Sequence, residues 1–168
     1  MRLILKCGEL PDLAGLALGW PQAKPNKGKR MTILTPVLAL VAWTLIIWIW
    51  MYALRIPAMN AAKIDPQYAR HPGSLDTLPS NVRQVADNYN HLFEQPTIFY
   101  ALVFYIYMAG TADRFAIILA WAYVVLRVIH SLIQCTINRV PLRFAVFALG
   151  TLVLMIMAVR EILPFLGL

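Results

Sequence analysis

The sequence predicts an all-α integral membrane protein built as a four-helix bundle, and two observations carry that reading. Hydrophobic residues make up 60% of the 168-residue chain and charged residues only 14%. A soluble domain carries about 25% charged residues, so too little polar material is present to cover a water-facing surface; mean hydropathy is +0.64. The apolar residues also gather into runs of membrane-crossing length, separated by short polar breaks. At 19.0 kDa the chain holds one such domain. Its two cysteines, Cys7 and Cys135, lie far apart in unlike contexts, which excludes a secreted disulfide scaffold. The apolar content excludes disorder.

The first thirty residues stand apart. Met1-Arg2-Leu3-Ile4-Leu5 begins like a signal peptide, but Lys6 and Glu9 cut its apolar region short. Residues 1–30 are expected to be a basic leader or tail. The expectation we favour is that translation starts at Met31, leaving 31–168 as the four-span membrane domain.

The first span is expected over Thr32–Leu54, which contains no charge. At about 1.5 Å per residue it is long enough for a hydrocarbon core of about 30 Å. Pro36 falls in its first turn, where a missing N–H costs little. Trp43, Trp48, Trp50 and Tyr52 mark an interfacial end. Arg55–Arg83 follows as a loop outside the membrane, since Pro57, Pro66, Pro72 and Pro79 forbid a long helix there. The second span is expected over Asp87–Ala109. Gly110-Thr111-Ala112-Asp113 is a short break, so the second and third spans should form an antiparallel hairpin. The third runs over Arg114–Thr136. Pro141 suits the start of the fourth, expected from Leu142 to Ile162. Both termini then lie on one side.

Lys and Arg total 15 against 8 Asp and Glu, for a net charge of +7. Much of the excess sits in the leader, and the rest flanks apolar runs, where membrane proteins place it. No basic patch interleaved with aromatics is present, and nucleic acid is not an expected partner.

Ionisable groups inside spans mark sites by default. In the second span Asn90, His91 and Glu94 share one helical face. In the third, Arg127, His130 and Gln134 follow an i, i+3, i+7 spacing, with Ser131 alongside. Arg139 and Arg143 flank Pro141 at the mouth of the fourth. Glu94 is eighteen residues before Ala112 and Arg127 fifteen after it, so the hairpin places them at similar depth. A buried Glu94–Arg127 ion pair is expected, because neither charge can sit alone in lipid. The alternative role for that pair is helix-to-helix glue. His91 and His130 alone make a weak case for metal or haem, and no metal site is expected.

The segment Arg127-Val128-Ile129-His130-Ser131-Leu132-Ile133-Gln134, with Asn138-Arg139-Val140-Pro141-Leu142-Arg143, resembles the MAPEG family. These are membrane-associated proteins of eicosanoid and glutathione metabolism, including microsomal glutathione transferases. Asn88-Tyr89-Asn90-His91-Leu92-Phe93-Glu94-Gln95-Pro96 is similar to the bacterial form of the family's Asn-x-x-Glu signature. The resemblance covers about residues 32 to 162. It implies a homotrimer, with glutathione as cosubstrate bound between subunits on the cytosolic side, and a multi-pass protein of a bacterial inner membrane. Membrane lipid and a lipophilic small molecule are its implied partners. Carried over by position, His91, Glu94, Arg127, His130 and Gln134 would hold the tripeptide, and Arg143 would stabilise the thiolate. The chemistry follows, since a thiol of pKa about 8.5 needs a cation to ionise at neutral pH and Arg keeps its charge. The chain departs from the family pattern at four kinds of position. His91 replaces an Asn, Gln134 a Tyr, Phe144 a Ser, and Asp87 and Gln84 stand where eukaryotic members carry arginines.

The leading functional expectation is a glutathione-dependent transferase or peroxidase acting on lipophilic electrophiles. An alternative is a non-catalytic trimer binding a lipid or anionic ligand in the same cleft, which the missing arginines favour. A small transporter with Glu94 as coupling carboxylate is opposed by the absence of an inverted repeat. Starting at Met31 leaves Arg114 and Arg160 on the N-terminal side against Arg55, Lys63, Arg70, Arg83, Arg139 and Arg143 on the other. The long loop is therefore expected in the cytoplasm.

Overall fold

The computed structural model describes residues 32–71 and 73–167, so the leader expectation lies outside the described residues. Within them the chain is helical: α1 Thr35–Ala61, α2 Ser80–His91, α3 Gln95–Ala109, α4 Arg114–Cys135 and α5 Val140–Ile162. Short 3-10 turns at Pro66–Arg70 and Leu163–Leu166 complete it. Three helices, α1, α4 and α5, are long and apolar enough to cross a membrane. They make this an integral membrane protein. The surface is inside out: Leu38, Leu45, Ile49, Leu152 and Met155 point outward and exposed, which lipid tolerates and water does not.

The second span is not one helix. It divides at Leu92-Phe93-Glu94, and Pro96 supplies the reason. A proline has no N–H to give the carbonyl four residues back, and its ring crowds that carbonyl. The carbonyl in question is that of Leu92, where α2 has just ended. Upstream, a helix forms within what reads as loop. Pro79 stands at its N-terminal boundary, and Val82, Val85 and Asn88 bury one face of it. Alone, the 15-residue α3 is about 22 Å long, short of a hydrocarbon core of about 30 Å.

The first span also runs further than its apolar stretch. α1 continues through Arg55 and Pro57 to Ala61, so the charge at Arg55 marks the end of the apolar run and not the end of the helix. The later boundaries agree with expectation to within two residues. Pro141 falls in the first turn of α5, and Asp113 caps α4 by accepting from the Ala116 amide at 2.7 Å.

α3 ends in a Schellman motif. Gly110 is left-handed at φ 70°, its amide bonds the Tyr107 carbonyl at 3.3 Å, and the Thr111 amide reaches the Ile106 carbonyl at 3.2 Å. The turn so made is pinned to the far end of α5. Arg160 grips Asp113 with two hydrogen bonds of 2.7 and 3.2 Å, and Thr111 donates to Glu161 at 2.7 Å.

α4 is the central element, packing on α1, α2 and α5. Between helices in lipid, close packing and hydrogen bonds replace hydrophobic exclusion as the cohesive force. Phe99 of α3 stacks on Tyr123 of α4 at 4.6 Å. Gly150 of α5 lets the Tyr123 ring and the Gln95 amide approach, each just under 4 Å from where a β-carbon would sit. Gln95 in turn donates to Thr151 at 2.6 Å, tying α3 to α5.

Candidate functional site

Three helix ends meet at the opposite end of the bundle from Asp113: the close of α2, the last third of α4 and the opening of α5. A cleft of about 220 Å³ lies among them, lined by His91, His130, Val140, Arg143, Phe144 and Phe147. Three residues that the sequence singles out, His91, His130 and Arg143, therefore share one cavity. The remaining three stand around it.

His130 is buried and fully engaged. Its Nδ1 lies 3.1 Å from the Arg143 carbonyl oxygen and its Nε2 3.2 Å from Gln134 Oε1. Its ring centre lies 6.0 Å from that of Phe147 and 6.2 Å from that of His91. Gln134 is fully buried behind it and acts by holding the imidazole. The pair comes from the α4 spacing, since residues four apart share a face.

Arg143 projects from the first turns of α5. Its Nη1 donates to Asn138 Oδ1 at 2.8 Å. Asn138 belongs to the turn after α4 and takes a left-handed φ of 44°, a conformation Asn tolerates better than most residues. Its amide closes α4 by donating to the Ile133 carbonyl at 2.8 Å. The guanidinium is thus oriented by a side chain whose position the turn geometry fixes.

Arg127 differs most from expectation. It is buried at 3% exposure, and its Nη2 donates to the main-chain carbonyl of His91. His91 is the last residue of α2, where carbonyls lack an intrahelical donor. The expected Glu94–Arg127 ion pair does not form. The break at residues 92–94 swings Glu94 outward, its side chain 64% exposed, and its Oε2 lies 3.1 Å from His91 Nδ1 instead. Deeper in the bundle, Arg127 Nε and Nη1, both polar side-chain atoms of Asn88, and Ser131 Oγ are buried without partners.

Sequence reasoning passed over Val140, Phe147 and Asn138. The signal for the first two was present: 140, 143, 144 and 147 recur at helical spacing on one face of α5. Nothing local in the sequence indicates that Asn138 reaches Arg143. Gln84, one of the two positions at which the family resemblance would place an arginine, donates to the carbonyl of Cys135 at 2.8 Å and so joins α2 to the end of α4. Asp87 lies in a second, larger cleft of about 460 Å³ with Arg55, His71, Asp76 and Arg83. That cleft is the roomier, but the smaller one holds the convergent imidazoles and the oriented guanidinium, and it is the candidate for chemistry.

A model of the MAPEG family matches residues 33–163, most of the chain. No curated protein and no solved structure matches it.

Proposed function

The chain belongs to the MAPEG family, and we propose that it is a membrane glutathione-dependent transferase or peroxidase whose thiolate is held by Arg143. The family is a membrane, glutathione-related one in general. What carries the reading to this chain is one observation: Arg143 opens into a cleft shared with His91 and His130, its guanidinium oriented by Asn138. The cleft sits at the N-terminal mouth of α5, where the helix dipole already favours an anion. A fixed cation in a partly dry cleft acts several-fold more strongly than in water. Glutathione would enter with its thiol toward Arg143, and Val140, Phe144 and Phe147 would face a lipophilic second substrate. His91, Glu94, His130 and Gln134 are the proposed tripeptide wall, with Arg127 beneath it bracing the end of α2. The proposed assembly is a homotrimer of four-span subunits in a bacterial inner membrane, long loop in the cytoplasm.

One observation favours a second reading, a non-catalytic trimer that binds a lipid or other anionic ligand here. Gln84 is committed to the carbonyls at the end of α4 and offers no cation to a glutathione carboxylate. Calorimetry of the detergent-solubilised chain with glutathione separates the two. Heat of binding together with a thiolate ultraviolet band near neutral pH supports the enzyme, and binding with no band supports the second reading.

A further inference from the structure

Resting on that glutathione reading, the geometry points to a His91–Glu94 dyad as the base that takes the thiol proton, with His91 the catalytic residue and Glu94 the positioning one. His91 ends α2, and Glu94 lies three residues on, at the close of the break, so the turn that stops the helix brings the carboxylate back to the ring. Oε2 stands 3.1 Å from Nδ1. The approach is at ion-pair distance though out of line for a hydrogen bond, and Nδ1 is buried with no other partner. With Nδ1 on the carboxylate side, Nε2 is the nitrogen left for the cleft that the ring lines with Arg143.

A carboxylate charge at this distance favours the tautomer with its N–H on the carboxylate side, which presents a lone pair on the other nitrogen. His130 cannot serve in its place, because the Arg143 carbonyl and the Gln134 side chain occupy both its nitrogens. The groups facing His91 are Glu94 from the break, Arg127 on its carbonyl, His130 across from α4, and Arg143 from α5; Asp87 lies one turn back on α2. Glu94 is the one carboxylate touching the ring, and it offsets the three neighbouring side chains that carry or can carry positive charge. In the step, the thiol S–H bond breaks as an N–H bond forms at Nε2. The electron pair stays on sulfur beside Arg143, and Nε2 then gives the proton up to water at the mouth of the cleft, which restores the starting tautomer. Nothing is oxidised or reduced.

The test is stopped-flow appearance of the thiolate band when the full-length, detergent-solubilised chain meets glutathione, with affinity measured in parallel. A general base contributes about 100-fold or more, so His91→Ala should bind glutathione yet form thiolate about 100-fold more slowly, and added imidazole should restore the rate. At saturating glutathione Glu94→Gln should still slow the step, whatever it costs in affinity, with Glu94→Asp recovering part of the rate. If His91→Ala does not fold, His91→Gln carries the same comparison. A wild-type rate in the His91 variant, or a Glu94→Gln defect confined to affinity, overturns the dyad while the glutathione reading stands. Wild-type protein that forms no thiolate overturns both.

Discussion

The guanidinium of Arg127 on α4 holds the main-chain carbonyl of His91, the last residue of α2. A cation buried in the bundle thus fastens a helix end instead of pairing with Glu94. Removing one partner of a buried ion pair costs about 3–5 kcal/mol, whereas an exposed pair contributes about 0–1 kcal/mol. The Glu94 side chain is exposed and its ion-pair contact is with His91, so Glu94→Gln should change unfolding stability by less than about 1 kcal/mol. SDS titration measures it. A loss of about 3 kcal/mol or more would mean that Glu94 neutralises Arg127 after all.

Gly150 tests how closely α5 must approach α4. A β-carbon there would meet the Tyr123 ring at 3.8 Å and Gln95 Oε1 at 3.9 Å, ordinary contact distances. Gly150→Ala should therefore fold at least as stably as wild type. Gly150→Leu has nowhere to place its extra carbons and should cost about 1–3 kcal/mol through overpacking. Thermal unfolding of both variants in one detergent gives the comparison.

Much of this arrangement is legible in the sequence, for identifiable reasons. Apolar length finds α4 and α5 despite the charges within them and locates α1, because hydropathy reads lipid contact directly. It misplaces the end of α1, because Arg55 leaves the apolar run without leaving the helix. Helical spacing reads correctly that His130 and Gln134 share a face of α4, while the meeting of His91, His130 and Arg143 depends on how three separate helices pack. The Glu94–Arg127 pair fails because counting residues from Ala112 assumes an unbroken second span. Pro96 breaks it, and depth along a helix says nothing about which way a residue beyond a break will turn. α2 is missed because its amphipathic face, Val82, Val85 and Asn88, is too short and polar for a hydropathy signal.

The latch at the far end predicts a pH response of definite sign. The Arg160 guanidinium, and after it the Ala116 amide, hold the Asp113 carboxyl below its ordinary range. A carboxyl lowered on folding stabilises fully above its unfolded value of about 3.9, and that stabilisation is lost as pH falls through the folded value. Stability should therefore ignore this group from about pH 5 to about pH 8 and fall below about pH 4. Asp113→Asn keeps a capping oxygen and should flatten that acid limb. Because the pair is largely exposed, the variant should lose less than about 1 kcal/mol at neutral pH. Unfolding midpoints across the pH range of both proteins measure the difference.

Asn138 separates the presence of the Arg143 charge from its placement. The left-handed φ of 44° at Asn138 would make an alanine there strained for reasons unrelated to Arg143. Glycine adopts that conformation freely, so Asn138→Gly removes the 2.8 Å bond to Nη1 and leaves the turn intact. If Arg143 stabilises the thiolate from a fixed position, Asn138→Gly should lower the amount of thiolate at neutral pH, because a mobile guanidinium loses part of its preorganised advantage. Arg143→Ala should abolish the band while glutathione still binds, and Arg139→Ala, outside the cleft, should leave it largely intact. Removing a single preorganised donor costs about 10²–10³ in rate in well-studied sites, so loosening one should cost less, about tenfold. Glutathione titrations followed by the thiolate band, run on all three variants with their affinities, decide the matter. A band of wild-type strength in Asn138→Gly would show that the charge acts without the amide's help. One of wild-type strength in Arg143→Ala would remove the arginine from the mechanism.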